Sequence, residues 1–237
     1  MNRSPRQGRP GFTLMESVIA IGVLAVLITA FMYAFGPAMS GIRRAINVQE
    51  ADRLASTLER ELGTLRPGQE AGGMKTGFDK AYEWIKSSNE PGSAICVYQY
   101  RGDPAKQRSD GTLEPVTRSG GTPGREYIVQ PIIRRTNDPL FAKDLEAVEG
   151  PVFVVKCTQL VYDQGGLVAG SPGQIRNPVD GKGSSSPDDY AEAVIAFSAE
   201  FFSMPANSVD FFRSQGFQRR FRDADRPVFT RNLAVRR

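Results

Sequence analysis

Glu16 is an acid at the mouth of a membrane-length apolar stretch: residues 9–17 read RPGFTLMES, and no charged residue follows across residues 17–42. A carboxylate approaching hydrocarbon costs free energy unless it is paired or held at the interface, so this position asks for a partner. Other side chains with chemistry to offer are few. There is no histidine, which removes the commonest metal ligand and the commonest general base at neutral pH. The two cysteines, Cys96 and Cys157, make either one disulfide or two free thiols. Asp180, Asp188 and Asp189 fall in one hydroxyl-rich loop. Such an oxygen-rich loop can hold Ca²⁺, although its spacing matches no EF-hand and the plainer reading is hydrated surface. Residues 211–222 interleave phenylalanines with arginines that include Arg219, Arg220 and Arg222. A surface that stacks bases and neutralises phosphates would look like this, which makes nucleic acid a candidate partner; in the plainer reading the phenylalanines are core and the arginines meet solvent. No CxxC, GxSxG or P-loop is present, and the expectation is a protein that is not an enzyme and needs no cofactor.

The elements that would position these residues begin with the apolar stretch. Residues 18–35 are 18 consecutive residues without a charge, and at about 1.5 Å per residue such a helix reaches about 27 Å, enough to cross a bilayer. Gly36 and Pro37 follow, where a proline should kink or locally melt the helix. Charge is polarised at both ends of the chain. The formal net charge is +4, yet Arg3, Arg6 and Arg9 lie in eleven residues that contain no acid, and setting these aside leaves 27 basic against 26 acidic residues. From Arg213 onward, eight arginines face only Asp223 and Asp225.

The apolar stretch admits three readings. A secretory signal has a shorter apolar region, about 7–15 residues, and a small-residue cleavage site, which is missing here. A plain anchor gains little from the charge rule, because Arg43, Arg44 and Arg53 match the leader arginines. The third reading uses Gly11, Phe12 and Glu16. A short basic leader, then G-F-T-L-M-E, then a long apolar helix closely resembles the class III signal of type IV pilins and pseudopilins. The resemblance implies that a prepilin peptidase cuts after Gly11 and methylates the new amine of Phe12. It implies that Glu16 pairs with that amine on a neighbouring subunit. The implied partners are other pilin-like subunits and an inner-membrane assembly platform. The implied protein is a minor pilin or pseudopilin of a type IV pilus-like or type II secretion-like filament. It would cross the inner membrane once, with a cytoplasmic N-terminus and a periplasmic or extracellular domain. In that setting a Cys96–Cys157 disulfide is permitted. Residues 13–16 also fit a capping box, with Thr13 as cap and Glu16 reaching back, a role compatible with later pairing. The runner-up is a membrane-anchored binding module that enters no filament.

Beyond Pro37 an apolar stripe recurs at Ile42, Ile46, Ala51, Leu54, Leu58, Leu62 and Leu65, and Pro67-Gly68 should stop it. The expected division is a leader at residues 1–11, a membrane or filament-core helix at 12–37, its amphipathic continuation at 38–66, and a globular domain at 67–237. The fold class expected is α+β, with the distal half of the long helix packed on an antiparallel sheet. A short helix is predicted at 78–86, and strands at 94–101, 127–135, 152–162, 191–202 and 228–235. Pro131 marks the second strand as an edge or bulged strand. Another short strand should follow the turn at residues 163–166. Long polar loops are predicted at 102–124 and 165–189.

Overall fold

The computed structural model describes residues 13–69, 73–118 and 120–237. The leader, Gly11 and Phe12 lie outside the described residues. Helix α1 spans Leu14–Leu62, and a seven-stranded, wholly antiparallel sheet follows it, so the class is α+β. The chain divides into two compact units, Met1–Ile46 and Asn47–Arg237.

In the second unit the sheet order is β2 (Leu113–Pro115), β1 (Ile95–Gln107), β4 (Val148–Asp163), β6 (Val194–Ser203) and β7 (Phe229–Arg236). Strand β3 (Ile128–Arg135) pairs with β1 alone, and β5 (Gly166–Ala169) pairs with β4. The edge position of β3 explains how Pro131 is tolerated opposite Gln99. The central strands are buried on both faces and therefore read as nearly continuous apolar runs. On one face Ile95, Val97, Phe153, Val155, Phe197 and Phe201 pack with Leu54, Leu58 and Leu62 of α1 and with α2 (Gly77–Ser87). On the other, Cys96, Tyr98, Tyr100, Val154 and Phe202 meet α3 (Pro139–Leu145), α4 (Val209–Arg213) and α5 (Gln215–Arg222).

Several expectations need correction. The buried stripe of α1 begins at Ala51, whereas Ile42 and Ile46 are exposed and belong to the first unit. The backbone stays helical through Gly36-Pro37 and does not melt there. Helix α1 ends at Leu62 rather than near Leu65, because the chain must turn for Arg66 to reach Glu61. Arg66 donates from Nε and Nη2 to the Glu61 carboxylate at 2.8 and 2.6 Å, while Lys80 on α2 donates from Nζ to Glu61 at 2.7 Å and to the Thr64 carbonyl at 2.8 Å. Residues five apart on a helix do not face each other, so an unbroken helix could not close this cluster. Gly77 is needed at the same corner: a Cβ there would lie 2.2 Å from the Gly63 carbonyl oxygen. The stretch expected as a loop at 102–124 holds the end of β1 and all of β2, while α3, α4 and α5 had no expected counterpart.

A second ionic cluster ties that stretch to the far face. The fully buried Asp144 accepts from Arg134 Nε at 2.5 Å, Arg108 Nη1 at 2.6 Å and Tyr98 Oη at 3.0 Å. Arg134 also reaches Asp110 and Asp138, at 3.0 and 3.1 Å. Burial opposes the Arg134 charge, but Asp144 and Asp138 outweigh it and hold the guanidinium above its ordinary range. Burial likewise pushes the Asp110 carboxyl up, but the Thr112 hydroxyl and amide, with Arg134, bring it below the usual carboxylate range.

Two outcomes follow for stability, both readable from fluorescence of the sole tryptophan, Trp84, during urea unfolding of the full chain in detergent. Leu58→Ala should cost about 2–5 kcal/mol, because Leu58 is completely buried, while Ile46→Ala should change domain stability by less than about 0.5 kcal/mol. Because the folded pKa of Asp110 is depressed, its contribution is complete above the unfolded value of about 3.9 and is lost as pH falls through the folded value. Asp110→Asn should therefore lower the urea midpoint at neutral pH and flatten its decline between about pH 5 and pH 2.

Candidate functional site

The first unit offers residues 13–46 as a single helical segment. Its N-terminus is capped by Thr13, whose hydroxyl accepts from the Glu16 amide at 3.3 Å. This is one half of the expected capping box. The Glu16 carboxylate is exposed and makes no hydrogen bond or ion pair among the described residues, so the acid stays free for another contact. Downstream, Thr29, which with Tyr33 carries a hydroxyl into the apolar run, turns it back to the Ala25 carbonyl at 2.8 Å. That bond hides a polar atom that hydrocarbon would otherwise leave unsatisfied.

The apolar side chains cover every direction around the helix. Val18, Ile19, Ile21, Val23 and Leu24 advance about 100° per residue and so point to all quarters of the wheel, and each is 55–67% exposed. A helix that is apolar all round is stable only when surrounded by apolar matter. This segment is long and apolar enough to cross a membrane, and none of it is buried inside the protein.

The sites expected on the domain come out differently. Cys96 lies opposite Val154 in the β1–β4 ladder, and Cys157 is three residues farther along β4, an odd step that puts it on the other face of the sheet. The Cys96–Cys157 disulfide is therefore not formed, and both thiols are free and fully buried. Burial pushes both thiols up; for Cys157 the Ser88 hydroxyl opposes the rise, leaving it at about 12.

In residues 211–222 the aromatic residues do not form a stacking surface. Phe212, Phe217 and Phe221 are buried against the sheet, with Phe212 and Phe217 ring centroids 5.0 Å apart. Arg219, Arg220 and Arg222 are exposed on the opposite side of α5 and have no ion-pair partner among the described residues. The interleaving was helical periodicity, with phenylalanines at 217 and 221 on one face.

Nor do Asp180, Asp188 and Asp189 converge. Among the described residues no group of three or more carboxylate, cysteine or histidine side chains is placed to hold a metal ion. Asp180 accepts from the Lys182 amide at 3.0 Å and Asp189 from the Ser185 hydroxyl at 2.6 Å, so both serve their own loop turns. Asp188 instead lines a groove with Asp79 and Glu83 of α2, a neighbourhood that the spacing of two acids four apart on one helix could have suggested.

The thiols give a direct check on this arrangement. Under native, non-reducing conditions neither cysteine should react with an alkylating reagent, and after denaturation without reductant both should, read as two added adducts by intact mass. Comparison with protein-family models, with curated proteins and with solved structures finds no match for this chain.

Proposed function

We propose that the chain is a structural subunit of a type IV pilus-like or type II secretion-like filament, a minor pilin or pseudopilin assembled through its N-terminal helix. A prepilin peptidase cuts after Gly11 and methylates Phe12. The helix crosses the inner membrane with its N-terminus cytoplasmic, and the domain faces the periplasm or the exterior. Assembly machinery in the inner membrane then moves the helix into a bundle with those of other pilin-like subunits.

The observation that carries this reading is the unpartnered Glu16 carboxylate at the head of a helix exposed and apolar on every side. A plain anchor needs the apolar surface but not the acid. In a bundle of such helices, a carboxylate four residues beyond Phe12 meets the cationic amine of a neighbour, and the pair sets axial register. Desolvation of both charges offsets much of their attraction, so register, more than affinity, is what the pair supplies. The completeness of the domain core without residues 13–46 also favours it, since that leaves the whole apolar segment available to other subunits.

Co-expression of the full chain with and without an active prepilin peptidase tests the first step. The expected product has methylated Phe12 at its N-terminus by intact-mass and terminal-peptide analysis, and a Met1 terminus in the presence of the matched peptidase would sink the proposal. Glu16→Ala should leave membrane insertion and domain unfolding unchanged but reduce sheared filament material by at least tenfold. A membrane-anchored binding module would tolerate that substitution.

A further inference from the structure

Two charged grooves in the second unit lie on opposite faces of the sheet. One is cut by α5, whose Gln215, Gln218, Arg219 and Arg222 recur at i, i+3, i+4 and i+7 and line it together with Asp223. The buried stripe of the same helix, Phe217 and Phe221, is fixed in the core, so the arginine stripe is held outward. The other groove runs beside α2 and is lined by Lys75, Asp79, Glu83 and Asp188, with α2 itself anchored through Phe78, Ala81 and Tyr82 to the opposite face of the sheet. Asp79 is occupied in capping α2, accepting from the Lys75 and Thr76 amides at 2.9 Å each. Glu83 and Asp188 have no side-chain hydrogen bond or ion pair among the described residues, although the Glu83 charge is felt by the half-buried Arg135, and Arg219 and Arg222 are likewise unpaired.

We propose that the arginine groove of α5 docks on the acidic groove beside α2 of a second copy of this chain, a head-to-tail contact between domains. The match extends to the minority charges: Asp223 sits among the guanidiniums and Lys75 among the carboxylates, so each groove carries the counter-charge that the other lacks. That mixture disfavours a polyanion such as nucleic acid or an anionic lipid surface, which would meet Asp223 as a repulsive group. The burial of Phe212, Phe217 and Phe221 removes the stacking or inserting side chains those ligands would use. Guanidinium forks suit carboxylates bidentately, and no lysine occurs anywhere beyond Lys182 to supply the charge instead.

Pairing α5 with α5, or α2 with α2, would oppose like charges, so the contact is not isologous. With the two grooves on opposite faces, each docked copy leaves one groove unused, so the contact is heterologous. The proposal rests on the filament reading and adds to it that at least two copies of this chain stand next to each other, with these domain surfaces meeting.

Disulfide trapping in full-length, membrane-inserted protein tests it. One tagged copy carries Arg222→Cys and a differently tagged copy carries Glu83→Cys; the native Cys96 and Cys157 are buried and take no part. The mixed pair should cross-link on mild oxidation, whereas two Arg222→Cys copies should not. Adding Arg219→Glu to the first copy should cut the yield at least about fivefold, and adding Asp188→Arg to the second should restore it. No mixed cross-link, equal cross-linking of the Arg222→Cys copies with each other, or a yield indifferent to both reversals would overturn the proposal. Filaments are scored separately by electron microscopy. Cross-linking that survives Glu16→Ala while filaments are never found would count against the filament reading alone, and filaments without the cross-link against this contact alone.

Discussion

In β1, Ile95 and Val97 point toward α1 and α2, while Cys96, Tyr98 and Tyr100 point toward α3, α4 and α5. Most of the second unit depends on that alternation. Because successive side chains leave opposite faces of a strand, one residue of slip would exchange the two sets. Both faces being apolar, the sheet needs cover on both. The distal part of α1 and α2 supply one layer, and the segment from Ser208 to Arg222 supplies part of the other as two short helices, each capped by a serine hydroxyl accepting a backbone N–H. The same geometry separates the cysteines, fixes which side of α5 is aromatic, and puts the two charged grooves on opposite sides of the sheet.

Where the chain leaves its regular elements, buried ion clusters take over. Asp144 is completely inaccessible and satisfied by two guanidiniums and a phenol; Glu61 is nearly so and holds Lys80 and Arg66. Taking such groups out of water costs several kcal/mol per ion, about as much as their attraction returns, so the clusters contribute little net stability. Their effect is geometric. Arg134 can meet Asp110, Asp138 and Asp144 together only if the β1–β2 hairpin, the end of β3 and α3 take one relative placement. Lys80, lying 4.8 Å from the Trp84 ring centroid, likewise locks the first turn after α1 against α2. Removing one member would strand a buried charge, a larger cost than losing the whole cluster.

Elements built on local periodicity were legible in the sequence. The long apolar helix, the Leu54–Leu58–Leu62 ladder, α2 and the five longer strands lie close to their expected positions, apart from β1, which runs six residues farther, because heptad-like or alternating burial writes itself into residue type. What was illegible depends on partners far away in the chain. Nothing local distinguishes a phenylalanine that stacks on a base from one that covers a sheet, so residues 211–222 fit two descriptions until Phe217 and Phe221 are seen in the buried cluster that holds Cys96, Tyr98 and Phe202. The separation of Cys96 from Cys157 required the β1–β4 register, which sequence does not provide. Ile42 and Ile46 continue the helical stripe but are exposed and belong to the first unit, so periodicity alone placed the start of packing too early. Of the candidate site, Glu16 and the apolar run were readable from residue type, whereas the acidic groove joins α2 to a loop about a hundred residues distant.

The two units resolve their apolar surface in opposite ways, and the contrast bears on how the chain works. In Asn47–Arg237 each hydrophobic layer is covered from within, by helices whose charged groups either face outward, as on α5, or are paired in buried clusters, as at Asp144 and Glu61. In residues 13–46 the described side chains are exposed all around the helix, and even Thr29 spends its hydroxyl on the backbone instead of offering it to water. A surface of that kind makes its environment part of its fold. It does not discriminate among apolar surroundings, since lipid tails and neighbouring helices bury it equally well, and transfer between them changes its hydrophobic free energy little. Discrimination then has to come from the few polar groups at its margin. Glu16 is the one acid there, and it is costly in lipid but useful beside a cation. Under the assembly proposed above, that single carboxylate, rather than the apolar surface that surrounds it, sets one copy's register against another's.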